Sequence, residues 1–161
     1  MLTIRKTTEK DIPAINEIYA SARAFMRQTG NPTQWNGIYP GERDIANDVK
    51  HGIGYAVCDG DEIVGAFAFF VGEEPTYCRM DGGSWKKEGP YGVIHRIAVA
   101  RHGAGIAGFC FDFCYEICKN LRIDTHRDNR VMQRALEKNG FSYCGIIYLA
   151  NGDERLAYQR V

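Results

Sequence analysis

The chain has 161 residues, of which 45% are hydrophobic and 25% are charged, and its formal net charge at pH 7 is zero. Residues 1–161 are therefore expected to form one globular domain with a sizeable core. There is no basic stripe, no signal-peptide core and no apolar run near the ~20 residues of a membrane span. These absences argue against nucleic acid and membranes as partners and predict a cytoplasmic protein.

The first half of the chain predicts two helices and three strands. Hydrophobic spacing and turn residues separate the two kinds of element, and the Asp59-Gly60 pair predicts a tight hairpin turn. In chain order they are a strand Leu2–Lys6, a helix from near Glu9 to before Gly30, a helix Glu42–Lys50, and strands Ile53–Cys58 and Glu62–Val71. A polar loop, residues 73–90, follows the hairpin.

The second half predicts two more helices and four more strands. They are a strand Tyr91–Val99, a helix Gly105–Asn120, a strand Leu121–Thr125, a helix Asn129–Asn139, and strands Phe141–Leu149 and Glu154–Val161 around the turn Asn151-Gly152. Only the segment from residue 91 to residue 125 is a β-α-β crossover, and most other connections are hairpins. The order therefore indicates a mixed sheet and not a doubly wound one.

Three of the six cysteines recur at every fourth residue of one predicted helix: Cys110, Cys114 and Cys118. Successive turns hold such side chains too far apart for an unstrained disulfide. No Cys-x-x-Cys pair or Cys/His cluster supplies a metal site. We therefore expect small buried apolar residues in a reducing compartment, and no metal.

A glycine-rich turn joins the strand ending at Val99 to the next helix, and such a turn can hold a phosphate against backbone N–H groups. Gly103, Gly105 and Gly108 match the dinucleotide-binding pattern, and Asp124 lies about 20 residues further on, where a ribose-binding acid would be expected. The repeated β-α-β units of a dinucleotide fold are missing, however. An NAD-dependent oxidoreductase is therefore the weakest alternative.

The same loop has a second interpretation. His102, Gly105 and Ala107 fit the pattern Arg/Gln-x-x-Gly-x-Gly/Ala. Together with the strand end Ile97-Ala98-Val99, and with Asn129 ahead of a helix that closes in Gly-Phe, this loop resembles the GNAT superfamily of N-acetyltransferases over essentially the whole chain. The resemblance implies a single-domain α/β (α+β) fold: a mixed, mostly antiparallel sheet of about seven strands and four helices, in which strands 91–99 and 121–125 splay apart.

The resemblance also implies acetyl-CoA as cosubstrate. The backbone of Ile97 and Val99 would pair with the pantetheine arm, and Asn129 would contact CoA. The pyrophosphate would bind the backbone N–H groups of the glycine loop, which are those of His102, Gly103, Ala104, Gly105, Ile106 and Ala107.

This chain departs from the family pattern in three ways. The loop is slightly short, and His102 replaces Arg or Gln. Leu136 stands where many members have a tyrosine that acts as general acid.

Acetyl transfer to an amine needs a base and a group that polarises the thioester carbonyl. His95 is the first candidate for the base, because an imidazole with an unperturbed pKa near 6.5 suits proton transfer at neutral pH. The backbone N–H of Val99 would polarise the carbonyl. His126 and Asp124 on the neighbouring strand are the next candidates.

The acceptor is expected to be a primary amine of a small molecule or peptide. Trp35 and Tyr39 are candidate walls of its site, although both could simply cover the core. A homodimer is compatible with the sequence. A different class of function also stays open, that of a CoA-binding module with a regulatory rather than a catalytic role.

Overall fold

Seven strands form one sheet in a computed structural model that describes all residues, Met1–Val161. The strands are β1 (Leu2–Lys6), β2 (Gly54–Asp59), β3 (Glu62–Val71), β4 (Gly92–Val99), β5 (Leu121–Thr125), β6 (Ser142–Tyr148) and β7 (Glu154–Arg160). Their order across the sheet is β1-β2-β3-β4-β5-β7-β6. Only β4 and β5 pair in parallel, and every other neighbouring pair is antiparallel. This topology confirms the predicted mixed sheet and is incompatible with the doubly wound dinucleotide-binding fold.

Four α-helices accompany the sheet: α1 (Ile12–Gln28), α2 (Glu42–Lys50), α3 (Ile106–Ile117) and α4 (Arg130–Lys138). The third is shorter than predicted, because Cys118 already has extended backbone angles. Asn120, which is buried, donates to the carbonyl of Pro90 at 3.1 Å and accepts from the Gln159 amide at 2.7 Å. These bonds hold the chain out of the helix just before β5.

The core is divided between helices that pack on the sheet. Ile15 and Tyr19 of α1 and Ile45 of α2 form one buried cluster with Ala66 of β3 and Ala98 of β4. A larger cluster joins α3 and α4 to the central strands, and it contains Cys110 and Cys114. Burial raises the pKa of the Cys110 thiol to about 12, so these cysteines are small apolar residues, as the sequence predicted. No helix combines the length and the apolar character needed to cross a bilayer.

The loop between β3 and β4 is an ordered part of the fold. Its Tyr77 is 2% exposed and packs with Tyr91, while Trp85 donates its indole N–H to the Tyr77 carbonyl at 2.9 Å. Asp81 forms an isolated bridge with Ile146 of β6. The loop is therefore attached to the far half of the sheet, and it also contacts Arg122 and Asp124 of β5.

Candidate active site

The sheet opens along its middle. β4 and β5 pair only at Gly92↔Leu121 and Val93↔Arg122. Further along both strands, Ile94 to Ile97 and Ile123 to Thr125 instead line a cavity. The predicted splay between these strands is therefore present.

A β-bulge bends β4 beside this opening. The register with β3 changes from Ala68↔His95 to Ala66↔Ala98, so Arg96 and Ile97 together oppose one β3 residue. Arg96 has a φ of 52°, the only positive φ in the chain outside glycine. Bulges of this kind re-aim side chains next to active sites.

An ion pair holds Arg96 in this conformation. Its Nη2 lies 2.6 Å from Oδ1 of Asp48 on α2, and its Nε lies 3.1 Å from Oδ2. Asp48 is 4% exposed, and desolvation raises its pKa although the guanidinium opposes this. The fork geometry fixes the plane of the guanidinium as well as its charge. The pair therefore ties the bent part of β4 to α2.

After the bulge, one N–H group of β4 points away from β3. The Ala100 N–H donates to Val64 of β3 at 2.8 Å. Because successive N–H groups of a strand point to opposite edges, the Val99 N–H points toward the opening. It is therefore available to a carbonyl or a ligand backbone that lies between β4 and β5.

The glycine loop after β4 also presents unpaired donors. The N–H groups of residues 102–105 make no backbone hydrogen bond. Gly103 and Gly105 have φ of 77° and 73°, which a side chain would disfavour. Gly108 serves packing instead, since a Cβ there would lie 2.7 Å from Oδ1 of Asn139. It is a close-packing residue between α3 and the end of α4 and not part of a dinucleotide fingerprint.

A cavity of about 580 Å³ runs from this loop to the opening in the sheet. Its walls are α1, the loop, the start of α3 and α4, and they include Ile97, Val99, Asn129 and Lys138. The His102 ring also lines it and stacks on Phe25 of α1, with centroids 3.7 Å apart. All the residues that the resemblance assigns to CoA except Ala104 line this one groove.

A second cavity, of about 440 Å³, lies on the other side of the opening. Trp35 and Tyr39 line it, as the sequence predicted for an acceptor site, and Ile97, Asn129 and Met26 line both cavities. The two spaces thus meet at the bent part of β4. No cysteine or serine lies in either wall.

His95 faces this second cavity with a carboxylate beside it. Its Nε2 lies 3.4 Å from Oε1 of Glu74, and the two side chains are 23% and 21% exposed. A hydrogen bond from the imidazole lowers the pKa of Glu74. An acid that orients a histidine is a common arrangement for a base, so the geometry suits the role predicted for His95.

The next strand brings a second carboxylate to the cavity. The Tyr77 hydroxyl donates to Oδ2 of Asp124 at 2.6 Å. Burial and the neighbouring Asp124 hold the pKa of Tyr77 well above its usual value. The phenol is therefore a fixed donor that positions Asp124, and Asp124 in turn contributes negative charge to the cavity wall.

His126 and Asn129 lie close by, but their polar atoms are largely engaged. His126 lines a different cavity, its Nδ1 accepts the Asp128 N–H at 3.0 Å, and its Nε2 lies 3.3 Å from the Thr33 hydroxyl. Asn129 caps α4 through the Met132 N–H at 3.0 Å and donates to the Gln34 side chain at 2.9 Å. His126 is therefore placed apart from His95.

Three residues of the site had no clear signal in the sequence. Glu74 and Tyr77 belong to a loop whose conformation depends on distant partners. Arg155 could have been noticed, because it begins an alternating series on β7 in which Ala157 and Gln159 are also buried. A charged residue at an inward-facing strand position indicates either a buried pair or a ligand contact.

Comparison with known proteins gave no match to any family model and none to the curated proteins. Solved structures do match. A GNAT-family acetyltransferase from Streptococcus agalactiae has 31% identity and a TM-score of 0.90, covering 99% of this chain and 95% of that one.

A second GNAT-family acetyltransferase, from Listeria monocytogenes, has 19% identity and a TM-score of 0.71, covering 99% of this chain and 94% of that one. An aminoglycoside acetyltransferase solved with coenzyme A and kanamycin has 15% identity and a TM-score of 0.67, covering 100% and 95%. The last two show the shared fold. The identity and coverage of the first show that this chain belongs to the GNAT family of acetyltransferases.

Proposed function

We propose that the protein transfers an acetyl group from acetyl-CoA to a primary amine by direct attack in a ternary complex. The observation that carries the proposal is the junction of two cavities at the opening between β4 and β5. One cavity presents free N–H groups at a helix N-terminus, and the other presents a histidine with an acidic neighbour. Donor and acceptor would therefore meet beside the Val99 N–H.

The glycine loop suits a CoA pyrophosphate. Residues 102–105 offer unpaired N–H groups, and α3 directs its positive end at the same point. The His102 ring stacks on Phe25, so backbone N–H groups would carry most of the binding. Lys138 in the groove wall would add a positive charge. Acetyl-CoA itself supplies an activated thioester.

His95 would take the proton from the acceptor amine. Its Nε2 faces Glu74, which leaves Nδ1 as the nitrogen free to accept the proton. The Val99 N–H would stabilise the negative charge that develops on the carbonyl oxygen. Because neither cavity contains a cysteine or serine, direct attack is favoured over a covalent acetyl-enzyme.

The first experiment measures free thiol released from acetyl-CoA with a panel of primary amines. His95→Gln should lower kcat/KM at least about 100-fold at pH 7, the usual contribution of a general base. Initial rates with varied acetyl-CoA and amine should give intersecting lines, as a ternary complex requires.

Two histidine variants serve as controls. His126→Gln and His51→Gln should keep near-normal kcat/KM, since neither residue lines the second cavity. Equal losses in His95→Gln and His126→Gln would contradict the assigned base. CoA binding with no turnover on any amine would instead support the regulatory module.

A further inference from the structure

Arg155 is a buried cation without a counter-ion. It is 6% exposed, lies at the start of β7 and lines the second cavity. Its guanidinium donates to two backbone carbonyls, those of Glu154 at 2.9 Å and Gln34 at 3.4 Å. No carboxylate lies within 4.0 Å of it, and Asp124 and Asp153 act on it only from a greater distance. Burial accordingly lowers the pKa of Arg155.

The other cations of this region are compensated. Arg122, the other buried arginine, stacks on the Tyr91 ring at 4.0 Å and on the Trp85 ring at 4.3 Å, and it lies 3.8 Å from Glu88. Arg96, in the same cavity as Arg155, has Asp48 at 2.6 Å. Arg155 has neither an aromatic ring nor an acid against it. An uncompensated buried charge is costly to a fold, and an anion bound in the cavity would relieve that cost.

The cavity wall carries charges of both signs, and it includes Asp153, two residues before Arg155, as well as Arg96 of β4. Glu74 and His95 lie on the side of β4, whereas Arg155 belongs to β7, across β5 in the sheet order. Asp124 lies between them but is held by the Tyr77 hydroxyl. An acceptor with an amine at the β4 side would therefore place its other end near the guanidinium. Arginine prefers carboxylates there because its two parallel N–H groups match the two oxygens.

Resting on the proposed acetyl transfer, we propose that Arg155 binds a carboxylate of the acceptor, so that the substrate is an amino acid or a short peptide. The volume of about 440 Å³ accommodates molecules of that size. The acidic side chains near His95 would attract the ammonium group before it loses its proton. The charge pattern thus matches a zwitterion better than a polyamine, which would oppose Arg155.

The test compares amino carboxylates of increasing length with their carboxamides, from glycine and glycinamide to lysine and lysinamide. Wild-type enzyme should prefer the acid of its best pair at least about 30-fold in kcat/KM, the usual gain of a charged bidentate contact. The amide has the more readily deprotonated amine, so this preference cannot come from amine reactivity. Aminoalkyl phosphonates, added as a separate arm, show whether the anion site accepts phosphonate equally.

Two variants locate the effect. Arg155→Met should remove the preference by raising KM for the acid while leaving the amide almost unchanged, and Arg155→Lys should restore part of it. Arg127→Met is the matched control, because Arg127 is 73% exposed in its side chain and lies outside this cavity. Thermal unfolding with and without CoA checks that each variant is folded.

The outcomes are distinct. Acetylation of amides and acids at equal rates by wild-type enzyme would overturn this inference while the proposed function stands. A preference for phosphonate over carboxylate would overturn it too. No acetylation of any amine would count against the proposed function itself. If Arg155→Met does not fold, the ratio of kcat/KM for acid and amide in the wild-type enzyme still tests whether the acceptor needs a carboxylate.

Discussion

Leu136 is a packing residue at a position where many family members have a tyrosine that acts as general acid. It is fully buried in the cluster that also holds Phe111 and Phe141. The family resemblance gives this position to a tyrosine acid, but a leucine donates no proton. A CoA thiolate is a fairly good leaving group, so turnover does not need a strong acid here. We therefore expect the side chain to contribute to stability and not to the reaction.

Leu136→Ala should lower the free energy of unfolding by about 2–5 kcal/mol, because it leaves a cavity in a closed core. Leu136→Met, which conserves volume, should cost less than about 1.5 kcal/mol. Urea unfolding followed by fluorescence gives both values. Below the unfolding transition both variants should keep most of the wild-type kcat, and a large loss in the stable methionine variant would mean that Leu136 acts in the reaction.

The residues of the site differ in how well the sequence predicted them. His95, Trp35 and Tyr39 were candidates from the sequence, and all three line one cavity. Glu74 reaches His95 only because its loop is packed on the far half of the sheet, a contact with no local signal. Arg155 was missed for a similar reason, since its lack of a partner is visible only in three dimensions.

At the scale of elements, the sequence did not predict the bent middle of β4. A run of alternating residues indicates a straight strand, whereas the bulge depends on Arg96 meeting Asp48 on α2. Strand and helix bounds, in contrast, were predicted to within one or two residues except at the ends of α1 and α3. Local spacing sets those bounds, while the bulge is set by a partner 48 residues away.

Asp48→Asn should destabilise the protein by about 2–4 kcal/mol, because it leaves the charge of Arg96, whose side chain is only 19% exposed, without its anionic partner. The double variant Asp48→Asn, Arg96→Gly should recover part of this loss, since glycine adopts a φ of 52° without strain and removes the charge. Chemical denaturation of the wild type, both single variants and the double variant gives their free energies of unfolding. Additive losses in the double variant would mean that the pair does not hold the bulge. Glu42→Gln, an exposed change on the same helix, is the control.

For the whole molecule, stability in acid depends on carboxylates that are paired in the folded state. Asp11 accepts two hydrogen bonds from Arg5, at 2.7 Å and 2.9 Å, and these lower its pKa from 3.8 to about 2. The pKa of Glu74 is also lowered. A depressed folded pKa gives stability that is complete above the unfolded value and is lost as pH falls through the folded one. Asp48 opposes the trend, because its pKa is raised.

We therefore expect the free energy of unfolding to fall between about pH 4.5 and pH 2. Asp11→Asn should remove about 1–2 kcal/mol of this dependence, while its side-chain oxygen can still accept the Thr8 N–H. Thermal unfolding at several pH values, compared with wild type, measures the difference. A constant offset between the two curves down to pH 2 would show that the Arg5 pair does not act through the charge of Asp11.

Two residue pairs join β4 to β5, and the remaining connections between the two halves of the sheet lie in the helices packed against it and in the loop between β3 and β4. Because so few hydrogen-bonded pairs join these two strands, the sheet bends most easily between β4 and β5. A long cosubstrate bound between β4 and β5 would contact both halves of the sheet and stabilise their relative orientation. Release of the CoA product would then require the two halves of the sheet to move apart. We therefore expect product release to limit the turnover rate.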